Sequence, residues 1–133
     1  MCSSPAHLLD EPLLGDALRG AGYQLAADPG AWRGRFGIAV DLMVPEALSG
    51  GSSRRSARLP IHGNRVARRT TGLEAALVDN EIHEIVAFEA ADSRTVRLRV
   101  AGPAPLLVAK VTKIEERRAN PTRHPPKDGL DVV

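Results

Sequence analysis

Three basic side chains in the last third of the chain have a spacing that could bring them together against phosphate groups. Lys110, Lys113 and Arg117 follow one another at intervals of three and four residues, in a segment that reads as a helix. This spacing places them on one side of a helix. An adjoining apolar stripe is predicted to pack against a core, formed by Leu107, Val111 and Ile114. A solvated amphipathic helix explains the same pattern without a phosphate, so both interpretations stay open.

A second charged group follows a proline-rich turn near the end of the sequence. Lys127, Asp128 and Asp131 come after Pro125 and Pro126, and their spacing predicts the opening of a second helix. An acidic group of this kind near a cationic row could act on phosphates, because carboxylates bind metal ions and accept protons.

One carboxylate interrupts the longest apolar segment of the chain. Residues 35–45, with the sequence RFGIAVDLMVP, are rich in apolar and β-branched residues and end at Pro45. This pattern predicts a strand covered on both faces. Asp41 in such a strand is costly unless it is paired, hydrogen-bonded or bound to a metal. Asp41 is therefore either a metal-binding candidate or a strand-end carboxylate that meets an arginine or a turn amide.

Arginines dominate the segment that follows. Residues 46–72 predict a long loop, in which Arg65 to Arg69 are compatible with a helical turn. Several arginines of this loop could follow a nucleic-acid backbone: Arg54, Arg55, Arg58, Arg65, Arg68 and Arg69. The loop has no aromatic residue on which a base could stack, so a solvated loop of biased composition is the alternative.

The remaining segments predict a small α+β domain. A helix starts near Glu11 and stops at Gly20 and Gly22, a short strand covers 23–26, and a turn covers 28–30. Two strands are expected within 75–88, joined by a turn at 79–81.

The last predicted elements are a strand and a long helix. Residues 95–100 alternate as a half-exposed strand with Arg97 and Arg99 on its wet side. The helix begins at Ala104 or Pro105 and ends before Asn120-Pro121.

Composition limits the classes of protein to consider. The chain has 133 residues, 43% of them hydrophobic, which suits a single domain with a core. Fifteen of its 18 basic residues are arginines and the net charge is only +2, so composition is weak evidence for a nucleic-acid partner. We predict a cytoplasmic protein without a membrane span. Cys2 is the lone cysteine, no apolar run approaches 18 residues, and a secretion signal is lacking. The four histidines have no metal-ligand spacing.

Three stretches together resemble the nucleotidyltransferase superfamily, whose core is like that of DNA polymerase beta, and within it the AbiEii-type toxins of bacterial type IV toxin–antitoxin systems. They are IAVDLMVP at 38–45, LLVAK at 106–110 continuing to Arg117, and KDGLD at 127–131. The resemblance covers about residues 12–133 and implies a partial nucleotidyltransferase-like fold, a small mixed sheet flanked by helices. It implies one domain over 1–133, incomplete at both ends, with a loose start at 1–11.

The resemblance also implies a site. Asp41 matches a catalytic carboxylate that binds Mg²⁺ and serves the attacking group, and Asp128 and Asp131 match an acidic catalytic motif. Nucleotide phosphates would be bound by basic residues, namely Lys110, Lys113, Arg117 and Lys127. The implied substrates are a nucleoside triphosphate and an RNA, protein or small-molecule acceptor, and the implied partner is an antitoxin protein or RNA.

One motif of the family has no counterpart here. Members carry Gly-Ser followed by Asp-x-Asp upstream of the position of Asp41, and no Gly-Ser pair precedes Asp41 in this sequence. Because magnesium is held through several oxygen ligands, we expect weak metal binding and little or no transfer by this chain alone. The alternatives are a small basic RNA- or DNA-binding module and a non-catalytic interaction protein.

Overall fold

The structure of the protein is a computed structural model that describes residues 11–50 and 55–119. The chain divides into two compact units, Met1–Thr70 (unit 1) and Thr71–Val133 (unit 2). The described residues form two α-helices and three small sheets, which confirms the α+β class. They do not form the one mixed sheet that was expected. None of the described helices is both long and apolar enough to cross a membrane.

Unit 1 is built on a three-stranded antiparallel sheet in the order β1-β2-β3. The strands are β1 (Gln24–Leu25), β2 (Ala31–Arg33) and β3 (Ala39–Asp41). In the register, Ala31 lies opposite Asp41 and Trp32 lies opposite Val40. Because opposed residues of antiparallel strands share a face, Trp32 and Val40 point to one side and Asp41 to the other.

Helix α1 (Leu14–Gly20) precedes the sheet and ends as the glycines predict. Gly22 has φ 87, and the N–H groups of Gly22 and Tyr23 donate to the carbonyls of Arg19 and Leu18, each at 2.9 Å. This is the hydrogen-bond pattern of a Schellman motif, in which a glycine adopts the left-handed conformation just past the helix. The short strand β1 then follows, as expected.

Gly30 joins the antiparallel sheet to a second sheet. The strands β4 (Met43–Pro45) and β5 (Arg68–Thr70) pair in parallel. A Cβ atom on Gly30, whose φ is 76, would lie 2.4 Å from the carbonyl oxygen of Leu42 and 2.5 Å from the amide nitrogen of Arg68. Three backbone segments therefore converge where only glycine fits.

Trp32 is the centre of the unit 1 core. Its side chain is fully buried, its indole Nε1–H donates to the carbonyl of Val66 at 2.9 Å, and the guanidinium of Arg19 lies 5.8 Å from the ring centroid. Ala57, Val66 and Ala67 are buried with it. The buried His62 accepts a hydrogen bond at Nδ1 from the N–H of Leu14 at 3.1 Å, which connects the 55–67 segment to α1.

The prediction of one buried strand over 35–45 is wrong. The chain turns at a 3-10 helix, Arg35–Gly37, where Phe36 has φ 59, and then forms the two separate strands β3 and β4. Ile38 and Met43 are 55% and 44% exposed. The apolar run suggested burial on both faces, but the short sheet buries Trp32 on one face and, of its strand residues on the other, only Ala31, so Asp41 is exposed rather than buried.

The helical turn expected at Arg65 to Arg69 is also wrong. Arg68–Thr70 is extended, because its backbone pairs with β4. The rest of the predicted loop contains a 3-10 helix at Glu46–Leu48 and isolated bridges between Ser56 and Arg68 and between Leu59 and Gly63.

Unit 2 contains an antiparallel hairpin of β6 (Asn80–Val86) and β7 (Thr95–Ala101). The strand over 95–100 is confirmed, but the turn expected at 79–81 is wrong, and the segment before it is a 3-10 helix, Glu74–Leu77. Asn80 starts β6, and its side-chain Nδ2 donates to the carbonyl of Ala76 at 2.8 Å. The polar residues at 79–81 therefore lie where the 3-10 helix passes into β6. The two strands of the hairpin are joined by residues 87–94.

The long helix α2 (Pro103–Arg118) is confirmed, with Pro103 in its first turn. It packs against the 3-10 helix Glu74–Leu77. A Cβ atom on Gly72 would lie 2.6 Å from Oγ1 of Thr112, so the backbone at Gly72 packs against the side of α2 that carries Thr112. The predicted apolar stripe is covered only in part, since Leu107 and Val111 are 52% and 50% exposed whereas Ile114 is half-buried.

Candidate functional site

The candidate site lies on the polar face of the β1-β2-β3 sheet. We call this surface the Asp41 face; by the strand register it consists of Gln24, Ala31, Arg33, Ala39 and Asp41. Asp41 is the last residue of β3, and its side chain is exposed. Among the described residues, none gives its carboxylate a hydrogen bond or an ion pair. The carboxylate is therefore available to a ligand.

Arg33 supplies the opposite charge on the same face. It lies opposite Ala39 and one diagonal step from Asp41, a separation of about 7 to 8 Å in antiparallel strands. The two side chains do not form an ion pair, and the guanidinium contacts its neighbour's backbone instead, donating to the carbonyl of Trp32 at 3.4 Å. Ala39 lies between them with only a methyl side chain, so a phosphate could reach both Arg33 and the surface beside Asp41.

Arg33 was not among the site residues predicted from the sequence. The sequence does contain a feature that points to Arg33. Ala31 and Arg33 flank Trp32, and if Trp32 is buried in a strand, its two neighbours lie on the opposite face of the sheet. What the pattern could not provide was the register that places Arg33 beside Asp41.

The Asp41 face does not form a complete magnesium site by itself. It carries one carboxylate, whereas magnesium is held in proteins by one or two carboxylates together with waters and substrate phosphates. Across residues 11–50 and 55–119, no group of three or more His, Cys, Asp or Glu side chains is placed to hold a metal ion. Asp41 can contribute a ligand, and the other ligands would have to come from a bound nucleotide and water.

The arginines of the predicted nucleic-acid surface mostly contact unit 1 itself. Arg69 forms an ion pair with Glu46, and Arg65 donates to the carbonyl of Ala27 at 2.7 Å. Further contacts join Arg68 to the sulfur of Met43 at 3.4 Å and Arg55 to Asp28 at 3.8 Å. Arg58 is exposed, and Arg54 lies outside the described residues. Their contacts give these arginines a structural role, while binding to nucleic acid stays a prediction.

The predicted phosphate-binding row lies on α2, in unit 2. Lys110, Lys113 and Arg117 are each half-buried, and Nζ of Lys113 lies 3.8 Å from Oε2 of Glu116. Lys110 and Arg117 also have contacts within the protein. Asp41 lies in unit 1, so the predicted site residues are divided between the two units. The predicted Lys127, Asp128 and Asp131 lie outside the described residues.

A strongly hydrogen-bonded carboxylate also lies in the β6–β7 turn of unit 2. The Asp92 carboxylate accepts from Nε and Nη2 of Arg94, and these bonds hold the pKa of Asp92 below its usual value of 3.8. The backbone N–H of Arg94 adds a second, smaller contribution at 3.0 Å. The same pair raises the pKa of Arg94. Because the contact joins two residues of the same turn and the Arg94 side chain is exposed, we assign this pair to the turn and not to a site.

Comparison with known proteins does not identify a family. No protein-family model matches the chain, and no curated protein or solved structure matches it at the significance required.

Proposed function

We propose that this chain is a nucleotidyltransferase-like domain that binds a nucleoside triphosphate at the Asp41 face. The observation that carries the proposal is the exposed Asp41 carboxylate, which has no partner among the described residues and lies one diagonal step from Arg33. The resemblance of 38–45 to the strand that carries a catalytic carboxylate in this superfamily agrees with that position. In this proposal the protein acts in the bacterial cytoplasm, and its activity is related to that of AbiEii-type toxins.

Each charged group of the face has a distinct role in the proposal. The Arg33 guanidinium binds phosphate oxygens, for which its planar array of donors is well suited. Asp41 orients the attacking hydroxyl of an RNA, protein or small-molecule acceptor and takes up its proton as the oxygen bonds to the α-phosphorus of the triphosphate and pyrophosphate leaves. The resemblance also implies phosphate contacts for Lys110, Lys113, Arg117 and Lys127 and an acidic role for Asp128 and Asp131, but the proposal rests on Asp41 and Arg33 of unit 1.

Magnesium is the ion that the resemblance implies, and Asp41 would be its protein ligand on this face. When bound, such an ion neutralises phosphate charge and favours the attacking oxygen. Because the face offers a single carboxylate, we propose that the ion binds only together with the nucleotide and that transfer by this chain alone is weak.

Manganese in place of magnesium provides a direct test, since it broadens the NMR signals of nearby nuclei even when it binds weakly. With a non-hydrolysable nucleoside triphosphate present, we expect the amide signals of Arg33, Ala39 and Asp41 to broaden first. Asp41→Asn should weaken this binding by at least the roughly tenfold that loss of a metal-site group costs. Without the nucleotide, broadening should be slight.

The matched control is Asp28→Asn, which changes another exposed carboxylate of unit 1 whose ion pair with Arg55 is long and solvated. This variant should behave like the wild type. Broadening that persists in Asp41→Asn, or that is lost equally in Asp28→Asn, would refute binding at the Asp41 face.

A second candidate function, a non-catalytic interaction protein, is favoured by an observation in unit 2. One face of the β6–β7 hairpin carries four apolar residues together with Glu81 and His83. The apolar residues Ile85, Val96, Leu98 and Val100 are 44%, 50%, 50% and 41% exposed. A two-stranded hairpin is marginally stable alone in water. An apolar face of this kind commonly marks a contact with another protein, for which the implied antitoxin is one candidate.

A further inference from the structure

Phe36 and Ile61 are the two non-glycine residues with a positive φ among those described, and Phe36 has the more exposed side chain. It lies in the turn between β2 and β3, its side chain is 98% exposed, and its backbone has φ 59 and ψ 22. A bulky residue in the left-handed region is strained, and an exposed ring gains nothing from a core. Such a combination persists where the residue has a function, so the observed strain motivates a search for one.

The turn holds Phe36 on a fixed support. The N–H of Gly34 donates to the carbonyl of Ile38 at 2.8 Å, and the N–H of Ile38 donates to that of Arg35 at 3.3 Å. The Tyr23 ring lies against Gly34, since a Cβ on Gly34 would come within 2.7 Å of Cε1 of Tyr23. Phe36 is therefore presented by an ordered turn, with its ring open to solvent.

The surroundings of Phe36 are positively charged. Arg35 precedes it, Arg33 lies at the end of β2, and residues 29–40 contain no carboxylate. The Arg35 side chain is exposed and makes no hydrogen bond or ion pair with the described residues. An exposed aromatic ring beside cationic groups is suited to binding single-stranded nucleic acid, because the ring stacks on a base while the cations contact phosphates.

We propose that the β2–β3 turn binds single-stranded nucleic acid, with a base stacked on Phe36 and its phosphates at Arg35 and Arg33. Asp41 lies three residues beyond Ile38, about 10 Å further along β3, so the bound strand lies next to the Asp41 face. Resting on the function proposed above, this identifies the acceptor as a single strand of nucleic acid. The binding itself requires neither metal nor triphosphate.

The chain contains a matched control for this inference. Phe88 is the second phenylalanine and is also fully exposed, at 103%, but it is followed by the acidic Glu89 instead of standing between an arginine and a glycine. If exposure of a ring were sufficient for binding, Phe36 and Phe88 would be equivalent. The proposal requires that they differ.

The experiment measures fluorescence anisotropy of short labelled oligouridine and oligothymidine, with a metal chelator and without nucleotide. Phe36→Ala should weaken binding by between about fivefold and 150-fold, the effect of losing one base stack, whereas Phe88→Ala should have no effect. Arg35→Gln should reduce the slope of log affinity against log salt by roughly 0.7. Tighter binding of uridine than of thymidine oligomers identifies RNA as the strand, and the reverse identifies DNA.

A further variant separates binding from folding. Phe36→Gly should lose binding like Phe36→Ala while its melting temperature stays equal or rises, because glycine tolerates the positive φ. Equal effects of Phe36→Ala and Phe88→Ala would overturn the inference. So would absence of oligonucleotide binding by the wild type, or Phe36-dependent binding to anionic vesicles without binding to oligonucleotides.

The two proposals can fail separately. Oligonucleotide binding through Phe36 without nucleotide-dependent manganese binding at Asp41 would reject the proposed transferase function alone. Manganese binding at Asp41 with no difference between Phe36→Ala and Phe88→Ala would reject the nucleic-acid site alone.

Discussion

At the scale of single residues, Asp92 and Arg94 show how a local contact sets a charge. The two side chains lie two positions apart in the β6–β7 turn, and the carboxylate accepts from both the guanidinium and the backbone N–H of Arg94. Their hydrogen bonds favour the ionised carboxylate, so the pKa of Asp92 is lowered. Because the pair is local and its Arg94 side chain is exposed, it contributes to the geometry of the turn more than to the stability of the protein.

The sign of the pH dependence follows from the lowered pKa of Asp92. The contribution of the pair is present above the ordinary carboxyl pKa of 3.8 and is lost as the pH falls through the lower folded-state value. In an NMR titration, the Asp92 carboxyl should have its midpoint below 3.8, and Arg94→Gln should move that midpoint upwards. Arg97→Gln, which removes a neighbouring arginine outside this pair, should leave the midpoint in place. A wild-type midpoint at or above 3.8 would contradict the contact.

At the scale of elements, local sequence patterns were sufficient to predict a helix or strand whose structure is determined by its own residues. The glycines after α1, the alternation of β7 and the proline in the first turn of α2 each predicted an element that the structure confirms. The pattern failed over 35–45 because an apolar run does not reveal that Phe36 takes a positive φ. It failed at Asn80 because turn-forming residues also serve helix-to-strand junctions.

The candidate site was predictable to the same limited extent. Asp41 was identifiable as a carboxylate on a strand, because both its type and its surroundings are local. Its neighbour Arg33 was not, since the pairing of β2 with β3 is a tertiary property. Phe36 was overlooked because its exposure became visible only once the apolar run proved to contain a turn.

The apolar face of the β6–β7 hairpin leads to a prediction at this scale. If the face is an interface between copies of the chain, Leu98→Ser should weaken association by roughly tenfold or more, the effect of removing one buried leucine. Ile82→Ser is the matched control, because Ile82 is 51% exposed but lies on the opposite face, across from Arg99. Sedimentation over a range of concentrations measures both. A wild-type monomer at every concentration, or equal losses in the two variants, would contradict an interface there.

At the scale of the whole molecule, the two units differ in how much they bury. Unit 1 has a core around Trp32 with Ala57, Val66 and Ala67, whereas Pro105 is the one buried residue among those described in unit 2. Local stability follows the apolar contacts that an opening would break. Unit 2 is therefore expected to open at a lower free energy than unit 1.

Native-state hydrogen exchange tests this difference. The amide of Leu42, which donates to the carbonyl of Gly30 at 2.8 Å, should be among the most protected of unit 1. The hydrogen-bonded amides of β6 and β7 should exchange faster, by roughly tenfold for each 1.4 kcal/mol of difference in opening free energy. Equal protection in both units would show that they open as one cooperative structure.

Trp32 has a practical consequence as an optical reporter. It is the single tryptophan of the chain, and its indole is buried and hydrogen-bonded within unit 1. Its emission therefore follows the melting of that core, whereas helical circular dichroism is weighted towards the 16-residue helix α2. Two unfolding curves recorded on one sample would thus separate the halves of the molecule without any label, and a displacement between them would measure their independence.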